Sequence, residues 1–146
     1  MSQLLKINTR KSDAATGNLI LFIDTSGNIT KIALFDYGQL VAVKEWDGKG
    51  DLSETLLSEI EKLLTSSQVK LEDLAQIAAF PGPGSYTGLR IGITVANFLS
   101  WSLEIPVVAG EISRGKLSIA RETNLGFILP KYLRPAHITT SRKSRF

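Results

Sequence analysis

The chain has 146 residues, 43% of them hydrophobic, and a formal net charge of +3, which suits one domain with its own core and leaves no room for a second full one. Cysteine is absent and His137 is the single histidine, so a thiolate nucleophile, a disulfide framework and a Cys/His zinc centre are excluded by inventory, whereas a carboxylate-held magnesium ion is not. No run nears the roughly 18 apolar residues of a membrane helix, and Met1-Ser2-Gln3 begins no secretion pattern, so a cytoplasmic protein is expected.

Residues 1 to 18 mix Ser, Asn, Thr, Lys and Arg around a brief Leu4-Leu5 pair, a composition that predicts a flexible extension. Leu19-Ile20-Leu21-Phe22-Ile23 is a continuous apolar run ending at Asp24, as in a central strand buried on both faces. Ser26-Gly27-Asn28 turns the chain. Ile29 to Phe35 and Leu40 to Trp46 are two more β-rich runs, and Asp36-Tyr37-Gly38-Gln39 between them carries hairpin-turn chemistry. After a glycine-bearing loop from Asp47, Asp51 or Ser53 can cap a helix whose Leu56, Leu57, Ile60, Leu63 and Leu64 recur at helical spacing. Ala75 to Phe80 predicts a fourth strand, Thr87 to Leu103 a second helix, and Ile105 to Ala109 a fifth strand closing the unit at Gly110.

The order β-β-β-α-β-α-β, with right-handed crossovers, implies an α/β fold: a ribonuclease-H-like half-domain of the actin-like ATPase superfamily, with helices packed on a mixed five-stranded sheet. Residues 19 to 110 form that domain, and residues 111 to 146 are expected to be a basic C-terminal segment and tail. Charge divides in the same way. The domain carries eleven acids against six bases, whereas no acid occurs from Thr123 to Phe146. Arg134, Arg142, Lys143 and Arg145 are therefore candidates for phosphate contact, against the alternative of a solvated tail.

Since this fold serves kinases, nucleases and inactive relatives alike, motifs must carry the function. Pro81-Gly82-Pro83-Gly84-Ser85 joins a buried strand to a helix, and it can be neither helix nor strand interior. Its prolines fix φ, its glycines permit close approach, and Ser85 or Thr87 can cap a helix whose first amides would suit an anion. A tight turn whose glycines serve packing alone is the other outcome. No Walker-type Gly-Lys-Ser/Thr occurs. On the second helix Gly88, Gly92 and Ala96 fall four apart and clear one face. Those three, with Leu57, Ile60, Leu64 and Phe98, are the candidate partner-binding residues unless they are core.

At this point the residues resemble a known family. Phe22-Ile23-Asp24-Thr25-Ser26 is similar to the opening strand and turn of the TsaB (YeaZ) family, and Ser53-Glu54 with Leu56-Leu57 resembles the start of its first helix. Pro83, Gly84, Ser85, Tyr86, Thr87, Gly88, Leu89, Arg90, Ile91 and Gly92 are similar to its signature loop almost letter for letter, and Ile105 to Gly110 resembles its fifth strand. Two departures stand out. Leu52 occupies a position where the family usually has histidine. Pro130-Lys131-Tyr132-Leu133-Arg134 also resembles a segment near the family's C-terminus although few residues precede it, so a reduced form lacking most of the second domain is expected.

The resemblance implies a non-catalytic subunit of the complex that installs threonylcarbamoyladenosine in tRNA. It implies helix-mediated pairing with the catalytic paralogue TsaD, the ATPase TsaE joining, and no cofactor or metal of its own. Homodimerisation is left open, as is tRNA contact through the basic tail. The competing expectation is a small actin-like ATPase or phosphotransferase in which Asp24, Thr25 and Ser26 meet magnesium and phosphate.

Overall fold

The computed structural model describes residues 18–120 and 126–132. Three strands come first, β1 (Leu19–Asp24), β2 (Ile29–Asp36) and β3 (Gln39–Asp47), followed by helix α1 (Leu52–Ser66). A one-turn 3-10 helix (Leu71–Asp73) leads into β4 (Leu74–Ala79), α2 (Tyr86–Leu103), β5 (Val107–Ser113) and β6 (Lys116–Ile119). The strands form one mixed sheet in the order β3-β2-β1-β4-β5-β6. β1 runs antiparallel to β2 and parallel to β4, so its backbone is bonded on both edges. This is the ribonuclease-H-like arrangement expected, with one correction to the sheet: it has six strands, because the chain turns back on β5.

The turn responsible is Arg114-Gly115, where both residues take positive φ and thereby match the twist of a two-residue hairpin. β5 consequently continues to Ser113, and the domain boundary expected at Gly110 falls inside a strand paired with Ile119. The expected extension of residues 1 to 18 lies outside the described residues apart from Asn18.

Strand alternation divides the core into two layers. Leu19, Leu21 and Ile23 of β1 and Ile32 and Leu34 of β2 face both helices, meeting Leu56, Ile60, Leu63 and Leu64 of α1 and Leu89, Ile93, Ala96 and Leu99 of α2. Ile20, Phe22, Ala33, Phe35, Ala78 and Val108 form a second buried cluster on the opposite face. A period of two side chains per strand leaves β1 buried throughout, as its unbroken apolar run requires.

β3 is an edge strand, and its contact with α1 is partly ionic. Lys44 pairs with Glu59, which also bonds Lys62 at 3.4 Å. The hydrogen bond from Lys44 holds the Glu59 carboxyl below its ordinary value. A carboxylate depressed by folding stabilises the fold above its unfolded pKa, and that contribution fades as pH falls through the folded value. The expected result is a urea-unfolding gap between the natural chain and Glu59→Gln that is constant near neutrality, shrinks below about pH 4.5 and narrows with added salt.

Candidate functional site

Two strand ends and one helix start meet at the signature segment. The Phe80 amide donates to the Ile23 carbonyl at 2.9 Å, extending the β1–β4 pairing by one residue, and the Ser85 amide donates to the Ser26 carbonyl at 2.7 Å. Ser85 is the N-cap of α2: its hydroxyl oxygen accepts from the Gly88 amide at 3.3 Å. Of the two capping residues that the sequence permits, the structure selects Ser85 because its carbonyl also takes the Leu89 amide, which fixes the first turn.

The β1–β2 turn is locked against this helix. The Ser26 amide and hydroxyl both donate to Asp24 Oδ1, at 2.9 and 2.7 Å, while the Thr25 hydroxyl donates to the Gly88 carbonyl at 2.6 Å. Asp24, Thr25 and Ser26 were the candidates for magnesium and phosphate. Here one carboxylate oxygen of Asp24 is engaged by its own turn and buried Thr25 points into the helix. Among the described residues, no three His, Cys, Asp or Glu side chains cluster as a metal site.

Packing of this closeness explains the glycines. A Cβ on Gly88 would strike the Thr25 carbonyl oxygen, and one on Gly92 would overlap the Thr25 side chain. The cleared face of α2 thus admits this chain's own β1 end. That corrects four of the partner-binding candidates: Ile60, Leu64, Gly92 and Ala96 are buried against the sheet. Leu57 and Phe98 remain exposed, at 48% and 53%. Trp101, which was not singled out, is 77% exposed, with its ring centroid 6.3 Å from that of Phe98. Its spacing of three from Phe98 on a helix was the available signal.

Residues 126–132 return across α2. Asn97 Nδ2 donates to the Ile128 carbonyl at 2.9 Å and Asn97 Oδ1 accepts from the Ile128 amide at 2.8 Å, which seats Ile128 in the core. Lys131 donates its amide to the Pro81 carbonyl at 2.5 Å, and Tyr132 stacks on Tyr86 with centroids 4.6 Å apart. Arg90 lies over the same Tyr86 ring at 5.5 Å. Part of the basic C-terminal segment, residues 126–132, is therefore bound to the signature helix and the loop before it. Arg134, Arg142, Lys143 and Arg145 lie outside the described residues.

With this geometry in view, the family follows. Residues 49–134, which include α1, β4, the signature segment and α2, match the family model described as TsaD: tRNA N6-adenosine threonylcarbamoyltransferase. The chain belongs to that family. Its resemblance is to the TsaB side, since it is 40% identical over 90 residues to the tRNA threonylcarbamoyladenosine biosynthesis protein TsaB of Bacillus subtilis (strain 168), covering 62% of this chain and 39% of that protein. Against the TsaB of Buchnera aphidicola subsp. Schizaphis graminum identity is 36%, covering 62% of this chain and 42% of that one. YeaZ from Pseudomonas aeruginosa shares the fold at a TM-score of 0.60 and 23% identity, covering 72% of this chain and 65% of that structure. This TsaB-like chain spans about two fifths of the length of those curated relatives. Among its described residues no helix is long and apolar enough to cross a membrane.

Proposed function

We propose that this TsaB-like chain is a non-catalytic binding subunit in tRNA threonylcarbamoyladenosine biosynthesis, docking a TsaD-type catalytic subunit through the outer faces of α1 and α2. The observation that carries it is that large apolar side chains are left in solvent on these two helices, among them Leu57, Phe98 and Trp101. Aromatic residues on an otherwise polar helix surface are the usual anchors of a protein interface. Support also comes from the bonds already made by Asp24, Thr25 and Ser26: Ser26 donates to Asp24 within the turn, and the buried Thr25 hydroxyl ties that turn to α2. In this proposal the reacting groups belong to the partner, a TsaE-type ATPase joins the pair, and the chain acts cytoplasmically. Homodimerisation through the same helices competes with pairing, and basic residues beyond Tyr132 contribute any contact with tRNA.

Co-expression with a TsaD-type protein and affinity purification tests the docking. The natural chain is expected to co-purify as a heterodimer, and Phe98→Asp or Trp101→Asp to weaken pairing by about 1 to 3 kcal/mol with an unchanged melting temperature. Retention of full affinity by the Phe98→Asp, Trp101→Asp double variant would remove α2 from the interface.

A further inference from the structure

The starts of both helices and two loops enclose a cavity that the docking surface does not use. It has a volume of about 310 Å³ and is lined at the β1–β2 turn by Gly27 and Asn28, at the β3–α1 loop by Gly48 and Lys49, and at the helix starts by Ser53 and Thr87. Thr30 also lines it. This residue is 1% exposed and its hydroxyl has no hydrogen-bond partner among the described residues. Thr30 precedes Ile32 and Leu34 at strand period on the face of β2 that meets the helices. Its side chain therefore projects beneath the gap between them, beside Gly48, where an added Cβ would lie 2.6 Å from the hydroxyl oxygen.

Leaving a buried hydroxyl unsatisfied is unfavourable, and a ligand in the cavity would supply the missing partner. The surroundings specify the charge of that ligand. Lys49 is the one charged lining residue and no carboxylate lines the cavity, although Asp47 and Asp51 flank its loop in sequence. Asp47 Oδ1 is occupied by the Lys49 amide at 3.0 Å, and Asp51, the N-cap of α1, makes no side-chain capping bond. Ser53 of α1 and the N-cap Ser85 with Thr87 and Gly88 of α2 line the cavity, and Glu54, the acid in the first turn of α1, does not; a helix start favours negative charge beside it. The volume stands at the lower end of small-molecule sites.

We infer that this cavity binds the phosphate group of a small ligand, with Thr30, Ser53 and Thr87 as hydroxyl donors and Lys49 as counter-charge. The site is independent of the docking proposal, because Leu57, Phe98 and Trp101 do not line it. The full chain is titrated with inorganic phosphate and, separately, with ribose 5-phosphate, and backbone amides are followed by NMR. Shifts are expected to concentrate at Gly48, Lys49, Ser53 and Thr87. Tighter binding of ribose 5-phosphate identifies a monoester, and equal binding identifies free phosphate. Thr30→Val is expected to weaken both by about tenfold or more and to melt no lower than the natural chain without ligand, since a methyl replaces an unpaired hydroxyl. Thr30→Ser keeps the donor and is expected to retain binding. Two results overturn the site: amide shifts spread over surface lysines and unaffected by Thr30→Val, or no shift with either probe at millimolar concentration.

Discussion

Gly92→Ala is expected to destabilise the fold by about 1 to 3 kcal/mol, the usual cost of overpacking a filled interior. In an exposed helix interior the same change would add stability, by as much as about 1 kcal/mol. The sign reverses here because a Cβ at this position overlaps Oγ1 and Cγ2 of Thr25, whose hydroxyl is already tied to the Gly88 carbonyl. Relief requires α2 to retreat from β1, which loosens Leu89, Ile93 and Ala96 in the core. Urea denaturation measures the effect. Thr25→Ala in the same chain is expected to recover part of the loss, since the clashing methyl and hydroxyl are gone although Cβ stays close. A stabilised Gly92→Ala protein would show that α2 does not approach β1 as described.

Ile60→Asp and Leu57→Asp place the same charge three residues apart on α1, and they are expected to have opposite consequences. Ile60 is 1% exposed and Leu57 48% exposed. An unpaired carboxylate at Ile60 faces a desolvation cost of several kcal/mol, comparable with the roughly 5 to 15 kcal/mol that holds a domain folded. Circular dichroism is expected to show an unfolded or molten Ile60→Asp chain. Leu57→Asp is expected to melt within a few degrees of the natural chain, with any loss confined to pairing with the TsaD-type partner. Loss of fold in both variants would place Leu57 in the core; loss in neither would remove α1 from the core.

The contrast between these two leucine-like positions shows where sequence pattern stops. Helical spacing placed Leu56, Leu57, Ile60, Leu63 and Leu64 on one amphipathic helix, and that is how they occur. Their apolar arc is wider than the strip the sheet covers, so membership of the helix and membership of the core separate at Leu57. On α2, the four-residue spacing of Gly88, Gly92 and Ala96 correctly signalled a close approach by another backbone. Identity of that backbone was illegible, because a partner helix and the chain's own β1 end make the same demand for small residues.

Of the cavity, the sequence disclosed single parts only. Thr30 reads as an ordinary polar residue at the start of a strand, and nothing local states that its hydroxyl is sealed beneath two helix starts. β6 was missed for a related reason. Lys116 to Ile119 is short and polar enough to pass for loop, and it becomes a strand because Arg114-Gly115 folds it back on a bonded edge.

What the sequence determined by itself was the order and type of the main elements, the central buried strand, the rigid proline-glycine junction and the family likeness. Each rests on neighbours within a few residues, where period, turn chemistry and capping act. The tertiary structure alone decided which apolar helix residues remain in solvent, which residue caps α2, and that the Thr25 hydroxyl turns inward onto α2. Those outcomes depend on residues about 60 positions apart, such as the Thr25 hydroxyl and the Gly88 carbonyl, whose proximity exists only after the sheet has formed.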